Sequence, residues 1–193
     1  MEKGFTGGTR KTRCIVITGA ESTGKTELAG GLAGATGGSW IPEYARSYIG
    51  NLDRPYRYTD VEHIAARQLE QLNESLRHRP SWLFVDTYLV ITRVWFREVF
   101  GKEPGWLENA LRKMPVDLFL ACETDLPWEP DPLRENPGTR REYLSDAYKT
   151  EIEALGYPWF PVTGTGMQRL KNALEILGRF YNEIPVSTYD KKQ

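Results

Sequence analysis

Short, unbroken apolar runs alternate along this chain with stretches of helical spacing, and glycine and proline punctuate the boundaries. Cys14-Ile15-Val16-Ile17-Thr18 is continuously apolar and ends at Gly19, the pattern of a strand buried on both faces of a parallel sheet. A small-residue helix is expected over 25–35, stopped by Gly37-Gly38. Ser39-Trp40-Ile41 reads as a second short strand, closed by Pro42. Val61, Ile64, Ala65, Leu69, Leu72 and Leu76 recur at helical spacing and predict a helix over 60–78, with Thr59 and Glu62 as a capping box and Pro80 past its end. Trp82-Leu83-Phe84-Val85-Asp86 predicts a third buried strand that ends on an acid. Helices are expected over 88–100 and 105–113, then a strand over 116–122, a helix over 142–155, a strand over 157–162 and a helix over 166–181. The repeated β-α order predicts an α/β fold: one parallel five-stranded sheet, helices on both faces, right-handed crossovers.

A length of 193 residues suits a single domain, and 40 % apolar residues supply its core. The polar, Gly-rich residues 1–13 read as a flexible arm and residues 186–193 as a frayed tail. The Pro-rich, charged residues 125–141 read as a short lid loop rather than a second domain. A net charge of −1 gives no bulk attraction to nucleic acid or anionic lipid, and no apolar run is long enough to span a bilayer. Cys14 and Cys122 lie in strand-like runs and are expected as buried thiols, which makes the cytoplasm the default location.

Chemistry enters with Gly19-Ala20-Glu21-Ser22-Thr23-Gly24-Lys25-Thr26, a G-x-x-x-x-G-K-T run set between a strand and a helix. Gly19 and Gly24 let the backbone turn so that successive N–H groups converge on phosphate oxygens, and the helix adds its positive end. Lys25 supplies charge to the β- and γ-phosphates, and the Thr26 hydroxyl suits Mg²⁺. The expectation is a P-loop NTPase fold that binds ATP with Mg²⁺. Asp86, ending an apolar strand, reads as a Walker-B-like acid for Mg²⁺ or substrate, against the plainer reading of a turn residue.

Ligands of open α/β sheets gather beyond the carboxyl ends of the strands. There stand Glu43, Tyr44 and Arg46 after the second strand and Trp128 and Arg134 after the fourth, with Arg140 and Arg141 further along. Glu43 is a candidate general base or ribose-hydroxyl acceptor, or else a helix N-terminal acid. Arg46 either clamps phosphate or pairs with Glu43. Trp128, in a Pro-stiffened loop, either stacks on a planar base or packs. Arg134, Arg140 and Arg141 suit a lid that closes on transferring phosphates, or a solvated basic loop. His63 and His78 read as surface or packing residues.

Taken in order, the Glu-Ser pair inside the P-loop, Pro42-Glu43-Tyr44-Ala45-Arg46, Asp86-Thr87 with Thr92, and Asp125-Leu126-Pro127-Trp128-Glu129-Pro130-Asp131-Pro132-Leu133-Arg134 form a series. It resembles the ribosylnicotinamide kinase domain of the NadR-like NAD-salvage proteins, over about 14–177. The resemblance implies a nucleoside-kinase-like fold and phosphorylation of the 5′-hydroxyl of nicotinamide riboside. Glu43, Asp86 and Trp128 would then line the nucleoside pocket, with Trp128 on the cationic pyridine ring. Family members often carry glycine after the last block's acid, where this chain has Pro132, which stiffens the loop. Larger members add a nucleotidyltransferase domain marked by His-x-Gly-His. The two histidines here are far apart, and the chain reads as a stand-alone kinase. The alternatives are a nucleoside or nucleotide kinase with another acceptor, and a P-loop ATPase acting as a regulatory module.

Overall fold

The computed structural model describes residues 11–182. Of the expected arm, residues 1–10 lie outside the described residues, as does the expected tail. Arg13, assigned to the arm, is instead the first residue of strand β1 (Arg13–Thr18), and Lys11 pairs with Asp117 at 2.9 Å.

Four further strands follow: β2 (Ser39–Ile41), β3 (Trp82–Asp86), β4 (Leu118–Cys122) and β5 (Trp159–Val162). All pairings are parallel, in the order β2-β3-β1-β4-β5, with Ile17 beside Asp86 and Thr18 beside Ala121. Every strand therefore ends at the same edge of the sheet. Successive residues of a strand face opposite sides. Cys14 and Val16 enter one core with Leu83, Val85 and Phe119, whereas Ile15 and Ile17 enter the other with Phe84, Leu118 and Leu120. Both faces are covered, which is why these strands are apolar without alternation.

Helices α1 (Lys25–Thr36) and α7 (Gly166–Phe180) cover the second face through Leu28, Leu32, Leu170 and Leu177. The first face carries α3 (Tyr58–Arg77), α4 (Leu89–Trp95), α5 (Leu107–Arg112) and α6 (Thr139–Ala154). A short helix, α2 (Tyr44–Gly50), follows β2 and was not foreseen from periodicity. The segment expected as one helix from 88 changes register. A π-helical turn over Phe96–Phe100 continues α4 and ends at Gly101.

The expected capping box of Thr59 and Glu62 is not formed. Helix α3 begins at Tyr58, and the Asp60 carboxylate accepts the Arg57 N–H at 2.7 Å while Arg54 clamps it from outside. Glu62 instead accepts the Trp106 indole N–H at 3.2 Å. Among the described residues no helix is long and apolar enough to cross a membrane.

Candidate nucleotide and acceptor site

The loop between β1 and α1 turns through backbone conformations that dictate its residues. Gly19 has φ 138°, and a Cβ there would lie 2.6 Å from the Cys122 carbonyl oxygen. Gly24 has φ 72° and faces Leu126. Both positions require glycine. Within the loop the Thr23 hydroxyl donates to the Ala20 carbonyl at 2.8 Å, and Lys25 Nζ donates to the same oxygen at 2.7 Å. The Lys25 ammonium is thus held across the mouth of the loop.

Strand pairing brings Asp86 beside this loop. Its carboxylate accepts the Thr26 hydroxyl at 2.5 Å, so the two residues expected at Mg²⁺ meet in space. Asp86 is 1 % exposed, and burial raises its pKa against the opposing pull of the Thr26 hydrogen bond and Lys25. The chain leaves β3 through Thr87 at φ 67°, a strained value for a β-branched residue, and the Thr87 N–H bonds the Ile17 carbonyl at 3.0 Å. Glu43 stands at the start of α2 without capping it through its side chain. Burial raises the Glu43 pKa, Lys25 and Arg46 lower it, and Asp86 and Glu21 raise it further. Glu43 therefore stands within electrostatic reach of both Lys25 and Asp86.

Other candidates are directed elsewhere. Arg46 pairs with Asp131 of the lid, not with Glu43. Tyr44 meets His63 Nε2 at 3.1 Å, which gives that histidine a packing role against α2. Arg134 donates to the Glu129 carbonyl at 2.6 Å. Arg140 bonds Glu98 of the π turn at 2.7 Å. Arg141, 6 % exposed, donates at 2.9 Å to each of three carbonyls, those of Glu21, Ser22 and Leu126. These bonds tie it to the P-loop backbone and to Leu126. Trp128 is half-buried, and its indole N–H is buried without a partner, an unused donor beside Ser22, whose hydroxyl bonds the residues on either side of it.

One residue escaped sequence reasoning. Arg169 of α7, 3 % exposed, donates to the carbonyls of Gly164 and Thr23 and pairs with Asp125, which also accepts the Gly164 N–H at 2.6 Å. It ties the P-loop to the loops after β4 and β5. In sequence it sits at the edge of an ordinary amphipathic stripe, with nothing to mark it. Beside it opens a cavity of about 190 Å³ between Glu27 and Leu28 of α1, Leu126, and Gly166, Met167 and Leu170 of α7. It adjoins Gly24, along α1 from the loop that Lys25 spans, and has the apolar walls a planar base would need.

Fold and site together define a P-loop nucleotide-binding protein built like the small-molecule kinases. The model of a protein family described as "AAA domain" matches residues 14–169, and the chain belongs to that family. It is 28 % identical over 126 residues to the trifunctional NAD biosynthesis/regulator protein NadR of Salmonella typhimurium, covering 63 % of this chain and 31 % of that protein. The structure of a NadR protein in complex with NR superposes with a TM-score of 0.76 at 19 % identity, over 90 % of this chain and 53 % of that one. Thymidylate kinase from Ehrlichia chaffeensis superposes with a TM-score of 0.60 at 13 % identity, over 88 % of this chain and 99 % of the other. The chain thus corresponds to about a third of the curated relative's length and half of the NadR structure.

Proposed function

We propose that this protein transfers the γ-phosphoryl group of ATP to the 5′-hydroxyl of nicotinamide riboside, giving nicotinamide mononucleotide and ADP. The observation that supports the transfer chemistry is the buried Asp86 carboxylate bonded to the Thr26 hydroxyl at the P-loop, next in sequence to Lys25, with Glu43 within electrostatic reach of Lys25 and Asp86. The choice of acceptor rests on the NadR likeness in sequence and in fold.

The P-loop backbone and Lys25 hold the phosphates, and the 190 Å³ cavity receives the base. Thr26 and Asp86 place two hard oxygen donors within 2.5 Å of each other, a set that suits Mg²⁺ completed by water and phosphate oxygens. Bound there, Mg²⁺ supplies neutralisation of phosphate charge. Glu43 accepts the acceptor hydroxyl proton as its oxygen attacks phosphorus in line, the bond to the β,γ-bridging oxygen breaks, and ADP leaves. The half-buried Trp128 ring, in the lid, suits a cationic pyridine. Two buried, unpaired thiols accord with the cytoplasm as the working compartment.

The test is ADP release over a panel of nucleosides and nucleoside monophosphates, with products separated by chromatography. Nicotinamide riboside is expected to be the preferred acceptor, and Lys25→Ala to lose most transfer while keeping its circular dichroism spectrum. Preference for another nucleoside would reassign the acceptor. Release of ADP independent of every acceptor would favour a regulatory ATPase.

A further inference from the structure

Two consecutive P-loop side chains are committed to the lid. Glu21 uses both carboxylate oxygens on one short segment. Oε1 accepts the Glu135 backbone N–H at 3.2 Å and the Asn136 side-chain amide at 2.8 Å, and Oε2 accepts the Asn136 backbone N–H at 3.0 Å. The Ser22 hydroxyl donates to the Pro127 carbonyl at 3.2 Å and accepts the Glu129 N–H at 3.1 Å. Arg141, in the first turn of α6 rather than in the lid loop, donates to the carbonyls of Glu21 and Ser22.

The lid satisfies part of its backbone internally, with Asp131 accepting the Leu133 N–H at 2.9 Å and the Arg134 N–H at 3.0 Å. Pro127, Pro130, Pro132 and Pro137 remove donors, and Pro137 keeps Asn136 out of helical conformation. The Glu135 and Asn136 N–H groups find their acceptor outside the lid, in a carboxylate, which makes a stronger hydrogen bond than a neutral oxygen. Its backbone carrier is the loop that grips phosphate.

We infer that Glu21 is a positioning residue that joins lid and P-loop into one body, so that the acceptor side closes in step with the phosphate side and water is kept from the γ-phosphoryl group. The kinetic part of this inference rests on the phosphotransfer reading; the structural part does not.

The test uses Glu21→Ala and Glu21→Gln in the full chain, with thermal melts to verify folding. Hydrogen exchange followed by mass spectrometry reads the 135–136 amides directly. Exchange there should rise about tenfold or more in Glu21→Ala, the range expected for loss of hydrogen bonds to a charged group. Glu21→Gln, which keeps one acceptor oxygen, should fall between. In turnover, the ratio of ATP hydrolysis to acceptor phosphorylation should rise more than the ATP KM, again with Gln between Ala and wild type. Unchanged lid exchange in a folded Glu21→Ala protein overturns the inference. So does a rise in ATP KM with a constant hydrolysis-to-transfer ratio, which would mean that Glu21 serves phosphate binding itself. If wild-type protein phosphorylates no acceptor, the kinase reading fails while the exchange measurement still decides the coupling.

Discussion

At Glu43 two demands meet in one carboxyl group. Burial holds its pKa above the usual glutamate range, and Lys25 and Arg46 pull it back. A base must be ionised, so kcat/KM for the acceptor should fall as pH drops through this raised pKa. Glu43→Gln should erase that acid limb and slow transfer by about 10²–10⁴-fold, with background ATP hydrolysis less affected. A carboxyl whose folded pKa is raised contributes stability below its unfolded pKa and loses it as pH rises through the folded one. At neutral pH, Glu43→Gln should therefore melt at a higher temperature than the parent protein. Asp86 is raised too, but its oxygen is bonded to Thr26, so Asp86→Asn should weaken transfer and hydrolysis together and change the Mg²⁺ dependence. Single-turnover kinetics across a Mg²⁺ series separates the two acids. The reverse pattern would exchange their roles.

Among elements, the lid is where sequence and structure part most. Strands β1, β3 and β4 were legible because burial on both faces leaves only apolar residues to choose from, and the P-loop because its backbone turn needs glycine at fixed places. Helix α2 was not legible, since seven residues after a proline carry no periodic signal. The start of α3 was misplaced by a plausible Thr59/Glu62 pair, because Asp60 gains both the Arg57 N–H and the Arg54 guanidinium. Arginine destinations were illegible for a different reason. The P-loop partners of Arg141 and Arg169 lie far away in sequence and are backbone carbonyls, which every residue possesses. Trp128 is the lid residue whose role kinetics can decide. Trp128→Ala should raise the nicotinamide riboside KM by the equivalent of about 1–2 kcal/mol and leave the ATP KM nearly unchanged. Equal changes in both, or loss of the folded state, would mean that the indole only packs.

Across the whole molecule, the sheet separates two apolar compartments, and each holds one thiol. Cys14 lies in the core under α3 to α6, and Cys122 in the core under α1 and α7. Burial pushes the Cys14 thiol up to about 12 and the Cys122 thiol up to about 11, and neither residue has exposed surface. The thiolate is the reactive form, so a disulfide reagent should label neither cysteine in native protein and both in denaturant. Labelling of one before unfolding would mean that its compartment opens by itself. The π turn at Phe96–Phe100 ties together elements on one face of the sheet. Arg97 of this turn reaches Glu103 and Glu151, while its neighbour Glu98 holds Arg140 and Tyr143 at the start of α6. A π turn is an α-helix with one surplus residue. Length variants in this stretch are therefore best read as changes of aim. A chain one residue shorter between Thr92 and Gly101 can close the same helix with ordinary hydrogen bonds, yet its acid would point about a quarter-turn away from the root of the lid.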